Sequence, residues 1–545
     1  MRTLLILLAV LTTTLAASPE TPGLSADITA DEMSEHVKIL ASDEYEGRRS
    51  GQPGGEKAAK YIEQRFKEIG LDPIGDDGTY RQTFALPVRE VVAIASHLTV
   101  RREKGETTFA AGATWKPFPA TKSADLADLE VVFAGYGLKA KGWNDYAGID
   151  VKGKAVLILR HCPNYDPDPR KNPRFLRAMS FPMKLRAAAT AGAAAVIVVN
   201  DTIHHEEGSE PLDVPWMSRG MGAEPPFLFA KAEVAKALLA AAGRDFEALQ
   251  QEIEEAEAPD SFELPDVRLD LSVRQSPVHS PNIVGLLPGS DRSLKEEIII
   301  VGAHYDHLGT DGFGARDPNA KERLWNGADD NASGTAGLIE LAEQFALTSP
   351  RPKRSLLFIA FTGEEMGVLG SRHYVAHPLI PNERCVLMLN MDMIGRLRDD
   401  KLFIGGVGTS PVFDDLITQA NEGVGLKITR GRGGMTPSDN MVFFRKGLST
   451  LFFNTGMHKD LHCVTDDWEK QNFEGSVKTL TVASRVLRLV GDLDERPTFV
   501  NARNGVLGVT IDQRDKGEGV LLSGVSPSLG AAKGGLLAGD RIVEL

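Results

Sequence analysis

Three cysteines in 545 residues are too few for a disulfide framework, and Cys162, Cys385 and Cys463 form no C-x-x-C pair. A cysteine-held zinc site is excluded with them, and the fold does not rely on disulfides even in an oxidising compartment. Long apolar runs are missing as well. The stretch from Ala187 to Val199 is uncharged, but it is shorter than the ~20 residues a membrane helix needs and Gly192 breaks it. Basic residues are not in excess: 61 Lys and Arg face 75 Asp and Glu, for a formal charge of −14. That argues against nucleic acid as a partner, because phosphate binding needs a cationic surface. No H-E-x-x-H helix, G-x-S-x-G elbow or G-x-x-x-x-G-K-[ST] loop occurs, so three common catalytic devices are absent.

What is present describes a folded chain. Hydrophobic residues make up 42% and charged residues 25%, which excludes global disorder, and the length suggests three or four domains. The first residues, MRTLLILLAVLTTTLAASPE, have the layout of a secretory signal peptide. Arg2 gives a positive start, Leu4 to Leu11 an apolar run, and Ala16, Ala17 and Ser18 a small-residue cleavage site. The expectation is an exported protein, secreted or periplasmic, whose mature chain begins near Ala17 or Ser18.

The chain then changes character several times. In EKAAKYIEQRFKEIG, Ala58, Ile62, Phe66 and Ile69 recur at helical spacing and Gly70 can end the helix. Residues 90–115 alternate like strands. From Glu130 to Gln275, short β-branched runs and the helix-then-strand pattern LRAAATAGAAAVIVVN suggest a compact inserted domain, and the acidic stretch Ile253 to Pro265 reads as a linker or exposed helix end. From Asn282 to about Gly491, continuous apolar runs alternate with helical segments. That is the signature of a mostly parallel central sheet with helices on both faces, an α/β fold. Gly505 to Leu545 is a separate glycine-rich stretch that stops without a visible domain end.

In an open α/β sheet the ligand crevice lies beyond the carboxyl ends of the strands. The run IIIVGA is followed there by His304, Asp306 and His307; LLFIAFTG by Glu364 and Glu365; VLMLNM by Asp392. LFFNTG leads to His458, Asp460 and His462, and NGADDNASG brings Asp329 and Asp330. Histidine nitrogen with carboxylate oxygen suits zinc. Two histidines and three carboxylates divide naturally between two metals with one carboxylate bridging, an arrangement that makes hydroxide near neutral pH and clamps a tetrahedral intermediate. Adjacent glutamates suit a division of labour in which one ligates and its neighbour moves the proton.

The order HYDH, NGADDNASG, TGEEMGVLGS, NMDMIG and a late D-x-H-C-x-x-D-D resembles the co-catalytic zinc aminopeptidase family, that of the bacterial leucyl aminopeptidases, related more distantly to glutamate carboxypeptidase and glutaminyl cyclase. The likeness covers most of residues 30–490. It implies one zinc on His304, Asp330 and Asp392, and a second on Asp330, Glu365 and His462, with Asp330 rather than Asp329 bridging. It implies Glu364 as general base and then acid, and Asp306 as the hydrogen-bond partner of the far nitrogen of His304. Two positions depart from the family. Leu461 stands where many relatives carry a tyrosine that helps stabilise the oxyanion, so that either the metals carry that load, another donor such as Tyr305 or His458 substitutes, or the enzyme is slow, and Asn440 stands where they often have histidine.

FAGYG, NDYAGIDVKGKAVLI and AAATAGAAAVIVVN resemble a protease-associated (PA) domain, and the tail GVLGVTID…GDRIVEL resembles the first half of a PDZ domain, implying a groove for a C-terminal peptide ligand. The expected division is a signal peptide at 1–17, a discontinuous zinc peptidase domain at 27–125 and 276–495, a PA insert at 126–275 and a partial PDZ domain at 503–545. The resemblance makes the chain an exported aminopeptidase acting on peptide substrates with two zinc ions. Its alternatives are a carboxypeptidase or dipeptidase of the same fold, or a weakly active protein that only binds peptides.

Overall fold

The computed structural model describes residues 23–502 apart from 104, 119–120, 167–170, 202, 205–223, 311, 313 and 319, and in the tail residues 509–511, 520–526 and 530–542. The expected signal peptide at 1–17 lies outside the described residues, as do large parts of the PDZ-like stretch. Among the described residues no helix is long and apolar enough to cross a membrane. The chain forms two compact units, one taking it to Gln82 and again from Pro281 to Thr310 and from Gly314 onward, the other essentially Thr83–Ser280.

The first unit is built on a nine-stranded sheet. Four adjacent strands at its centre, Ser355–Phe361, Ile298–His304, Cys385–Met391 and Thr450–Asn454, run parallel. All but one of their residues are buried, so they read as unbroken apolar runs. Successive side chains of a strand face opposite ways. Ile299, Val301 and Ala303 accordingly pack in one core with the helices Ala30–Leu40, Pro53–Ile69, Gly334–Leu347 and Phe473–Asp492. Ile298 and Ile300 enter a second core with Tyr374 of the helix Leu369–Ala376 and Phe443 of the helix Asn440–Arg445. Both faces are thus covered, as the apolar pattern requires. Strand Gln275–Leu287 flanks this block antiparallel to Ser355–Phe361, and Lys401–Gly405 flanks it antiparallel to Thr450–Asn454.

The helix Pro53–Ile69 shows how locally this was encoded. Proline opens it where no backbone N–H is needed, Ala58, Ile62, Phe66 and Ile69 are buried, and Gly70 ends it in the left-handed region at φ 81°. Burying each large apolar side chain contributes about 1.5–3 kcal/mol.

The second unit holds an eight-stranded sheet with parallel strands Ala124–Ala134, Ala155–Leu159 and Ala195–Val199 side by side. The helix Phe181–Ala191 precedes the last of these. One expectation fails here. Residues 261–265 are not a linker but the start of the long strand Ser261–Val273, which pairs with Ala124–Ala134. The misleading proline, Pro265, sits where the register shifts between Leu264 and Arg268, a gap in the ladder that tolerates a residue without an N–H. In the tail, Val509–Ile511, Val520–Val525 and Arg541–Ile542 form a small antiparallel sheet.

Candidate active site

Strand Ile298–His304 delivers His304 to the carboxyl edge of the parallel block, almost fully buried. Its Nδ1 lies 3.1 Å from the backbone carbonyl of Asp306, while the Asp306 carboxylate is 3.8 Å away. The expected partner is therefore replaced by the main chain of the same residue. The reason is local: Asp306 Oδ1 accepts the backbone N–H of Glu364 at 3.1 Å. The consequence for His304 is the same, since a proton held on Nδ1 leaves Nε2 free as a ligand.

His304 Nε2 points at two carboxylates, 3.3 Å from Asp330 Oδ1 and 3.6 Å from Asp392 Oδ2. The other oxygen of Asp330 lies 3.1 Å from His462 Nε2, which is itself 3.2 Å from Glu365 Oε2. Asp330 thus sits between two histidines, one oxygen toward each. Asp329 is committed elsewhere: it accepts from Gly395 N and Ser333 Oγ, and its other oxygen meets His458 Nε2 at 3.0 Å. The turn carrying both aspartates is held by Asp466, whose Oδ2 accepts the backbone N–H groups of Asp329 and Asp330.

The donor set fits divalent metal. Zinc bonds of about 2.0–2.2 Å at tetrahedral angles set neighbouring ligand atoms about 3.3–3.6 Å apart. The four histidine–carboxylate separations above span 3.1–3.6 Å. Ligand-type atoms of His304, Asp330 and Asp392 lie within 4.8 Å of one another, and so do those of His307, Asp330 and Glu365.

The electrostatics point the same way. Burial alone would lower the His304 pKa, but Asp392 and Asp330 outweigh it and hold it well above its ordinary value. Glu365 and Asp330 likewise lift His462 to about 12 against burial. Burial raises Asp330, yet hydrogen bonds from His304 and His462 hold it well below the usual range. Ligation would require both histidines in the neutral form, so metal binding there would release protons. Burial pushes Glu364 well up, assisted by Glu365, Asp439 and Asp392 and opposed by His304, which makes it a carboxyl able to hold a proton.

All seven expected site residues, His304, Asp306, Asp330, Glu364, Glu365, Asp392 and His462, belong to this one edge. The two substitutes for the missing tyrosine do not face it. Tyr305 Oη donates to the Pro281 carbonyl and His458 is spent on Asp329. Sequence reading assigned no role to three contributors, although His307 and Asp466 lie inside motifs it singled out. His307 meets Glu365 Oε1 at 2.8 Å. Asp466 shapes the aspartate turn. Arg48 is fully buried and donates to the carbonyls of Leu40, Tyr305, Asn326 and Gly327, tying the HYDH and NGADD loops together. The only available signal for Arg48 was the RR pair in EYEGRRSG, which does not distinguish a buried cation from a surface one.

Residues 282–486 match peptidase family M28 and residues 124–238 match the PA domain. Aminopeptidase YwaD of Bacillus subtilis is 28% identical over 316 residues, covering 56% of this chain and 54% of its own. A probable leucine aminopeptidase of Arthroderma otae is 27% identical over 237 residues, covering 40% and 58%. The chain therefore spans somewhat over half the length of these two curated relatives. Among solved structures, a zinc aminopeptidase from Bacillus subtilis aligns with TM-score 0.48 at 21% identity over 85% of this chain and 95% of its own. The histidines and carboxylates of the HYDH, GADD, GEE and NMD motifs that gather at one sheet edge all lie inside the segment that matches peptidase family M28, and a separate segment matches the PA domain.

Proposed function

We propose that the protein is a metallo-aminopeptidase that removes N-terminal residues from peptides, with His304, Asp330 and Asp392 holding one zinc ion and Asp330, Glu365 and His462 a second. The observation that carries this reading is Asp330, buried with one oxygen toward each of two histidines that also face separate carboxylates. Bound there, the ions would acidify a water and polarise the scissile carbonyl. Glu364 would take the proton of the attacking water and return it to the departing amine. Asp306 fixes the backbone of Glu364 through its N–H and so aims that carboxyl. The aminopeptidase names of YwaD and of the Arthroderma protein support this substrate class over a carboxypeptidase.

Hydrolysis of an aminoacyl-nitroanilide, abolished by chelator and untouched for an N-blocked peptide, is the expected result. The reverse preference would move the chain to the carboxypeptidase reading, and no turnover of either substrate to a peptide-binding protein. We also propose export through the N-terminal segment, the peptidase domain in two pieces around the PA insert, and a partial PDZ-like module at 503–545. The three short antiparallel strands described in that tail support the last of these.

A further inference from the structure

The proposed two-ion centre uses His304 and His462 and leaves the buried His307 without a role. His307 Nδ1 lies 2.8 Å from Glu365 Oε1, while the other oxygen of that carboxylate faces His462 Nε2 at 3.2 Å. The ring is wedged against Gly327. A Cβ added to that glycine would lie 2.3 Å from His307 Cδ2, and the residue holds φ +57°, so only glycine admits the ring there. On its other side the ring stands edge-on to His462, with centroids 5.7 Å apart. Its Nε2 is buried without a hydrogen-bond partner among the described residues.

Two roles compete for such a residue. Its nearness to Asp330 and Glu365 would allow direct ligation. The 2.8 Å separation from Glu365, shorter than any of the four histidine–carboxylate distances of the proposed centre, points instead to a hydrogen bond. Two atoms on one tetrahedral zinc are about 3.3–3.6 Å apart, and His304 and His462 keep 3.1–3.6 Å from their carboxylates. His307 and Glu365 are at ordinary N–H···O length.

Resting on the two-zinc reading above, we propose that His307 is a positioning residue that donates from Nδ1 to Glu365 Oε1 and keeps Oε2 turned toward His462 and the second ion. The donation restricts Glu365 to one ligating oxygen. A bidentate grip would fill a further coordination position, and a catalytic site needs one open for water or substrate. With its proton on Nδ1 the ring keeps Nε2 as a bare acceptor, which no donor among the described residues meets.

The test is a zinc titration of the full chain, stripped by chelator, in competition with a chromophoric zinc indicator. Wild type should bind two ions. His307→Ala should still bind two, with the weaker step about 10–100-fold weaker again, the usual effect of losing a partner behind a ligand. His307→Asn, whose amide nitrogen can reach where Nδ1 stands, should recover to within a few-fold of wild type. Should His307→Ala fail to fold, His307→Met fills the space beside Gly327 without a donor and replaces it. Loss of one ion with no recovery in His307→Asn would make His307 a ligand and overturn the proposal, and so would an unchanged affinity in His307→Ala. Wild type binding fewer than two ions would instead remove the two-zinc reading itself, whatever the variants do.

Discussion

Both units bury ionisable groups, and they resolve the charge in opposite ways. In the PA-containing unit the account closes within the protein. Asp201 is fully buried with one oxygen 2.6 Å from His161 Nδ1 and the other 2.6 Å from His204 Nδ1. Lys184, also fully buried, donates to the carbonyls of Tyr136, Leu159 and His161. In the unit holding the candidate site, six carboxyls (Asp306, Asp330, Glu364, Glu365, Asp392 and Asp439) gather around three imidazoles, His304, His307 and His462, with the buried guanidinium of Arg48 beside them. Excess buried negative charge is costly unless cations or protons offset it. A titratable cluster that balances itself is a structural brace, whereas one left in carboxylate excess is built to receive something positive.

The comparison can be broken most severely at Glu364, the proposed proton carrier. Glu364→Gln should lower the hydrolysis rate about 10²–10⁴-fold, the range of general acid–base catalysis, while zinc content stays near that of wild type. A variant that hydrolyses at full rate would strip Glu364 of its role. Asp330→Ala removes the carboxylate shared by both histidines, so zinc bound per chain should fall for both ions together. Loss of a single ion would show that Asp330 does not bridge.

Smaller effects test the packing behind each cluster. Gly327→Ala places a methyl 2.3 Å from His307 Cδ2 and 2.2 Å from the Asp330 carbonyl at a positive φ. A destabilisation of about 2–4 kcal/mol is expected in denaturant unfolding, and an unchanged midpoint would mean that the loops give way freely. In the other unit, Asp201→Asn leaves two histidines without their anion. It should weaken hydrogen-exchange protection of the strand Ala195–Val199 and leave zinc affinity alone.

The pH dependence of that brace has a definite sign. The hydrogen bond to Asp201 raises the His204 pKa above its ordinary 6.5, against burial. That contribution is complete below pH 6.5 and fades as pH rises through the raised value. Burial raises Asp201, but His161 and His204 hold it below its ordinary 3.8, so its contribution is present above that pH and fades in acid. Protection of Ala195–Val199 should therefore be greatest between about pH 4 and 6.5 and decline above it, and Asp201→Asn should flatten the profile.

Much of the fold was legible because its instructions are local. The unbroken apolar runs IIIVGA and VLMLNM announced strands covered on both faces, and the spacing of Ala58, Ile62, Phe66 and Ile69 announced a buried helix face. Pro265 misled because whether a proline interrupts a strand depends on a partner far along the chain. At the site, the motif order identified the histidines and carboxylates. It assigned Asp306 by its carboxylate, whereas the contact to His304 is made by its carbonyl.

The sequence alone determined the element types, the strand ends and the residue chemistry available there, because periodicity and side-chain identity are properties of short segments. Only the tertiary structure decided what occupies Asp329, that Arg48 and Asp466 brace the loops, and that His307 turns to Glu365. Those outcomes depend on which distant backbone groups meet, as when Asp329 is drawn off by Gly395, Ser333 and His458, and no local pattern in the chain records such meetings.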